Sequence, residues 1–123
     1  MTISEQIYAL LSGYSSLSAI VGTKIYPVRA QQGVVKPWVA FFDVSGAPQN
    51  SLAGWSGIDN HLYQVDCWSV SHLQAVTMAG YVRAAMAQSN STFKCICSRE
   101  FDGLIEPGVE AFHRIVEFSI WTL

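Results

Sequence analysis

Apolar residues recur along this chain with two different periods. Near the start, Ile3, Ile7, Leu10 and Leu11 stand three and four apart, the spacing of one helix face. Thr2 and Glu5 ahead of them fit a capping box, in which the threonine side chain caps the helix and the glutamate reaches back to the cap. Gly13 supplies a stop, since glycine accepts the left-handed conformation after a last turn. Leu17, Ile20 and Val21 predict one short apolar turn ended by Gly22, and Lys24-Ile25-Tyr26 predicts a short strand stopped by Pro27. Residues 28–37, with Gly33 and Pro37, read as loop.

From Trp38 the period changes to two. Trp38 to Val44 is rich in aromatic and β-branched residues and predicts a strand, as does His61 to Val70. Between them, residues 46–60 hold Gly46, Pro48, Asn50, Gly54, Gly57, Asp59 and Asn60 and read as a long turn region joining an extended hairpin. Ser71 and Gln74 form a second capping box, and Ala75, Met78, Ala79, Val82 and Met86 mark one face of a helix running to about Gln88. Ser89-Asn90-Ser91 ends it. Phe93, Cys95, Cys97, Arg99 and Phe101 then alternate and are expected to share one strand face. Asp102-Gly103 with Pro107-Gly108 makes a second hairpin connection, and Ala111 to Leu123 is the last strand. The predicted fold is α+β: a mostly antiparallel sheet of four to five strands with two helices packed on one face.

The strand faces carry a further implication. An antiparallel sheet with one wet face alternates cleanly between apolar and polar. Here Trp38, Ala40, Phe42 and Val44 face one way while Val39 and Phe41 face the other. In the last strand Phe112, Val116, Phe118 and Ile120 oppose a set with Ile115, Trp121 and Leu123. Two helices cover one apolar face, so the other calls for a partner, and another subunit is the simplest one. The competing explanation is a scatter of exposed hydrophobics, which monomers also show.

Composition narrows the field. The 123 residues suit one domain, residues 1–123, with no room for a second core. Charged residues are 13% of the chain, against about 25% in a typical soluble domain. Seven Lys plus Arg face nine Asp plus Glu, a net charge of -2 that argues against phosphate neutralisation as a mode of binding. A 50% hydrophobic content excludes intrinsic disorder. No stretch approaches the roughly 18 apolar residues of a membrane span. Met1-Thr2-Ile3-Ser4-Glu5 lacks the basic start and apolar run of a signal peptide, so the expectation is a chain made and kept in the cytoplasm, with reduced thiols.

Candidate chemistry is sparse. His61, His72 and His113 stand in no metal or catalytic motif and read as surface or capping residues. Cys95-x-Cys97 lacks zinc-site spacing; a three-thiol site with Cys67 on a neighbouring strand is the sharper alternative to three small hydrophobes. Glu100 with Asp102, and Glu106 with Glu110, are carboxylate pairs near a turn, where charges are normally solvated. Neither a nucleophile elbow nor a phosphate-binding loop occurs. The expectation is therefore a protein that is not an enzyme, with no cofactor and no metal. Trp38, Trp68 and Trp121 belong to strands, as core or interface. Trp55 stands apart, in a polar Gly-rich stretch with Leu52 and Ile58 close by. Leu52, Trp55 and Ile58 are the candidate protein-contact residues. A loop folded back on its own tryptophan is the alternative.

The order of segments resembles a known family. The initial helix is followed by Leu17 to Gly22 and Lys24-Ile25-Tyr26-Pro27, then Gln32-Gly33, Pro37-Trp38-Val39-Ala40-Phe41 and Ser45-Gly46. Tyr63-Gln64-Val65-Asp66-Cys67-Trp68 comes next, and Arg114 and Glu117-Phe118-Ser119-Ile120-Trp121 close the series. Taken together these are similar to the bacteriophage tail-completion family, the tail terminators of long non-contractile tails. Glu117 stands where the family often has aspartate, and Thr122 where it often has tyrosine; neither change damages a strand. The family has no catalytic motif, so no site residue is carried over. The resemblance implies a virion assembly protein at the head-proximal end of the tail, assembled in the host cytoplasm. It would form a ring, usually a hexamer, that caps the tail tube and joins it to the head. Its partners would be itself, the tail tube protein and the head–tail connector, with no membrane and no sequence-specific nucleic-acid binding; DNA would pass through the lumen. Two other classes stay open: a small α+β ligand-binding or enzymatic domain acting as a dimer, and another virion component such as a tail tube or head-completion protein.

Overall fold

The structure is a computed structural model that describes residues 2–28, 35–51, 54–103 and 111–122; at 47–51 and 55–58 only the backbone is described. Along the chain run α1 (Ile3–Ser12), α2 (Ser15–Val21), β1 (Ile25–Pro27), β2 (Trp38–Ser51), β3 (Gly54–Ser69), α3 (His72–Met86), β4 (Phe93–Asp102) and β5 (Phe112–Thr122). The strands form one sheet in the order β1-β2-β3-β5-β4. Every pairing is antiparallel except β1 with β2, where Ile25, Tyr26 and Pro27 lie beside Val39, Ala40 and Phe41. The fold is the expected α+β class, with three helices rather than two. The short apolar turn predicted at Leu17–Val21 closes into α2, which buries Leu17 and Val21.

Local chemistry accounts for the helix ends. The Thr2 hydroxyl accepts from the Glu5 amide while the Glu5 carboxylate accepts from the Thr2 amide, the full capping box. The second box is completed differently. Ser71 accepts from the Gln74 amide, but the Gln74 side chain takes its hydrogen bond from the Ser69 hydroxyl, and Ser69 in turn accepts from the Ser71 amide. Ser69 is buried and makes this relay from inside the sheet. Gly13 does not take the left-handed conformation expected of it: its φ is -82°, and a Cβ there would stand 2.9 Å from the Ala9 carbonyl oxygen. The positive φ falls instead on Gly22, at 61°, where α2 stops. Asn90 closes the connection after α3, its side-chain oxygen accepting from the amides of Thr92 and Phe93.

The core lies between the sheet and the helices. Val39 and Phe41 of β2, Val65 and Cys67 of β3, Val116, Phe118 and Ile120 of β5 and Phe93 of β4 are buried against Ile7, Leu10, Leu11, Leu17, Val21, Met78, Ala79, Val82, Ala85 and Met86. The α3 face read from the sequence is therefore the buried one. Trp38, Ala40 and Phe42 alternate with these residues and belong to the opposite face, on which no helix packs among the described residues.

Two sequence expectations about β-structure are corrected. Residues 46–60 are not a long turn region: β2 continues to Ser51 and β3 begins at Gly54, with Gly46 opposite His61 and Gln49 opposite Ile58. The second correction concerns β4. A register shift between Cys97 and Arg99 puts Cys95 and Cys97 opposite Ile120 and Phe118, but Arg99 and Phe101 opposite Glu117 and Ile115. The extra residue, Ser98, flips the alternation, so Arg99 and Phe101 leave the face of Phe93, Cys95 and Cys97.

Candidate functional site

The sheet face without helices is built from β2, β3, β5 and β4. Cross-strand register brings Trp38, Trp68 and His113 side by side. Trp38 and Trp68 stack with centroids 5.4 Å apart, and Trp68 stacks on His113 at 4.0 Å with the planes 10° apart. His113 Nε2 stands 3.3 Å from Asp66 Oδ1, off the line of a hydrogen bond, while the Gln64 amide donates to that oxygen at 2.7 Å. Next to this ladder, Arg99 donates to both oxygens of Glu117, at 2.8 and 3.1 Å, and its guanidinium lies 4.7 Å over the Phe101 ring. These groups lie on the same face as Ala40, Ile115 and Glu117, which are buried with no helix over them among the described residues. At its margins the face exposes Ile96 (65%) and Trp121 (38%). The result is a flat aromatic layer whose charges are mostly paired within the layer, the make-up of a protein contact surface rather than of a solvated one. Lys94 is the exception, exposed and without an ion pair among the described residues.

The second element is the far end of the β2–β3 hairpin. β5 accompanies β3 only as far as Asn60, opposite Trp121; the Thr122 hydroxyl then accepts from the Asp59 amide at 2.7 Å. Beyond that point β2 and β3 pair only with each other, from Pro48 to Ser51 and from Gly54 to Asp59, and no third strand joins them among the described residues. At about 3.3 Å per residue the described part of this two-stranded ribbon reaches roughly 13 Å beyond the sheet. A two-stranded ribbon alone is marginally stable in water. Of the candidate contact residues, Trp55 and Ile58 are carried on this ribbon, opposite Asn50 and Gln49. Leu52 lies outside the described residues.

The remaining candidates from the sequence are used in structural pairs. His61 bonds Asp43 and His72 approaches Asp102, as surface residues do. Glu100 and Asp102 are not a free acid–base pair. Arg114 donates to Glu100 Oε2 at 2.9 and 2.6 Å and to Asp102 Oδ1 at 2.8 Å, and Arg83 Nε lies 2.9 Å from Glu100 Oε1. The hydrogen bond from Arg114 holds the Asp102 carboxyl below the usual range, and the two carboxylates hold the Arg114 guanidinium above its own. Glu106 and Glu110 lie outside the described residues. The three-thiol alternative is not assembled: Cys67 is on β3, Cys95 and Cys97 on β4, and β5 runs between them. Among the described residues no three metal-ligating side chains converge. Burial pushes the Cys95 thiol up to about 11 and raises Cys67 further, which keeps both protonated at neutral pH.

A groove of about 510 Å³ beside α1 is lined by Ser4, Glu5, Tyr8, Ala9, Pro27 and Phe41. Its one carboxylate, Glu5, is engaged in the α1 capping box, and that bond holds it below the usual range. The groove thus offers an apolar wall without a set of converging polar groups.

Register explains what sequence reading missed. The Trp68–His113 stack, the Arg99–Glu117 pair and the Asp43–His61 bond join residues 18 to 45 positions apart. In the sequence, the apolar alternation Val116, Phe118 and Ile120 is what sets His113 on the opposite face of β5.

Comparison with known proteins adds a family. The family model of tail completion protein gp17 matches residues 5–123. Among solved structures, a chain from the virion of a native gene transfer agent particle superposes with a TM-score of 0.81 at 16% identity, covering 98% of this chain and 94% of that one. The gp17 protein of bacteriophage SPP1 superposes with a TM-score of 0.63, also at 16% identity, over 98% of this chain and 87% of that one. No curated protein matches the chain significantly.

Proposed function

The chain belongs to the tail completion protein gp17 family, and from that premise we propose that its subunits close into a ring, a hexamer, that caps the finished tail tube and joins it to the head. The family is one of structural tail proteins of phage virions, not of enzymes. The ring, its partners and its place at the head-proximal end are the finer reading. One observation carries it: the chain builds a complete core on one side of its sheet and leaves on the other an aromatic layer and a projecting ribbon.

Mechanistically, a closed ring needs a head-to-tail contact, in which each subunit offers one surface to one neighbour and a different surface to the other. The aromatic layer and the ribbon are two such surfaces, at different places on the molecule. The edges of the sheet are unequal as well, with three-residue β1 on one side and ten-residue β4 on the other. The assembled ring would block further growth of the tube on one surface and meet the connector on the other. A net charge of -2 suits a lumen through which DNA passes without being gripped.

Leu52, Trp55 and Ile58 are the proposed anchors, the latter two standing on the ribbon. A large apolar side chain gains about 1.5–3 kcal/mol on burial, against about 1–2 kcal/mol for each backbone residue ordered. Strand pairing has already ordered most of the ribbon backbone, so three anchors suffice to favour docking. Trp55→Ala tests this: the isolated subunit keeps its thermal stability to within about 0.5 kcal/mol, while ring formation or tail completion fails. A Trp55→Ala subunit that melts many degrees lower yet still assembles would assign Trp55 to the subunit's own packing. A compact dimer in place of a ring, by solution mass and electron microscopy, would instead favour the ligand-binding class.

A further inference from the structure

β2 changes register against β3 twice, once within the ribbon between Gln49 and Asn50 and once nearer the sheet between Asp43 and Ser45, where Val44 is an extra residue with no partner on β3. Such a bulge bends a strand and increases its twist. Residues on both sides of it converge on one side chain of the facing strand, His61. Ahead of the bulge, the Asp43 carboxylate lies 2.8 Å from His61 Nδ1. Past the bulge, Gly46 pairs with His61 and lies against its ring: a Cβ on Gly46 would come within 2.9 Å of Cε1 and 3.0 Å of Nδ1. The third connection runs to the body. The His61 ring is tilted against that of Tyr63 at 6.2 Å, and the Tyr63 hydroxyl shares a hydrogen bond with Ser4 of α1 at 3.1 Å.

We propose that Asp43, His61 and Gly46 form a clasp that locks the bulge and so sets the direction of the ribbon, with His61 as the positioning residue. The clasp reads as a directional device because each part is needed for one geometry. The hydrogen bond spans the extra residue, and the absence of a side chain at position 46 lets the ring lie flat beneath the departing strand. Without the bond, the bulge has two neighbouring registers open to it and the ribbon gains freedom to swing or slip. This holds for the isolated subunit whether or not the ribbon is the assembly contact.

Amide exchange and residual dipolar couplings, measured by NMR on the full chain, test the clasp. In Asp43→Ala, ribbon amides at 49–51 and 54–58 should exchange about tenfold faster, the size of effect expected for a charge-assisted hydrogen bond. Core amides such as Val65 and Val116 should keep their protection. Asp43→Asn, which retains an acceptor for His61, should restore most of the ribbon's protection. Gly46→Ala, which displaces the ring, should change the couplings of the ribbon relative to the sheet while leaving those within the sheet unchanged. Unaltered ribbon exchange in Asp43→Ala would overturn the proposal. So would a loss of protection shared equally by ribbon and core, which would mean that Asp43 supports general stability, and so would unchanged ribbon couplings in Gly46→Ala.

Discussion

The two faces of the sheet use the same five strands in opposite ways. On the helix side, Phe41, Val65, Val116 and Phe118 are closed off by α1, α2 and α3, and apolar side chains make up the core. On the other side Trp38, Trp68 and His113 lie flat in a stack, Arg99 and Glu117 lock together, and Ile96 and Trp121 remain exposed at the margins. The first arrangement is three-dimensional packing, which stabilises the subunit. The second is a smooth layer on the same face as the buried Ala40 and Ile115, with side chains lying along the surface, leaving a plane against which another chain can be placed. On the proposed function, folding and assembly would use separate surfaces.

Substitutions on the two sides should therefore part company. The largest effect is expected from Phe118→Ala on the helix side, a loss of about 3–5 kcal/mol of subunit stability for a fully buried aromatic, measured by chemical denaturation. Trp68→Ala on the open side removes both stacks and should cost less, about 1–3 kcal/mol, but impair assembly out of proportion to that loss. If Trp68→Ala destabilises the subunit as much as Phe118→Ala, the division between the faces does not hold.

A smaller effect separates the faces by pH. Burial raises the folded-state pKa of Cys95 to about 11 from an ordinary 9.0, and raises Cys67 in the same direction. A group whose pKa is raised on folding contributes stability fully below its unfolded value and loses it as pH climbs toward the folded one. Subunit stability should fall between about pH 9 and pH 11, and Cys95→Ala should flatten part of that decline. Both thiols lie on the helix side, so the aromatic layer should contribute nothing to it; an alkaline decline unchanged in Cys95→Ala would contradict the assignment.

Much of the helix side was legible in the sequence, because it depends on local rules. The apolar face of α3 follows from helical spacing, and the Thr2–Glu5 box from four consecutive residues. The open side was legible only as an excess of apolar residues on the wrong face. Its particulars depend on register, and a single inserted residue changes register: Ser98 turned Arg99 toward Glu117 instead of leaving it beside Cys97. The ribbon was misread because its glycines, asparagines and proline are turn residues by preference. They are tolerated there because β2 past Phe41 is an edge strand, where Pro48 need not donate to a ladder on both sides. The candidate contact residues drew notice only as large apolar side chains in a polar stretch, a signal that marks an unusual residue without saying what it touches.

Electron cryomicroscopy of completed tails tests whether the open face and the ribbon are the surfaces by which copies of this subunit join into a closed ring. The expected image is a symmetric ring of this protein at the head-proximal end, with the Trp38–Trp68–His113 layer and the ribbon covered by neighbouring chains. A completed tail without such a ring, or a ring in which both surfaces remain exposed to solvent, would contradict that reading.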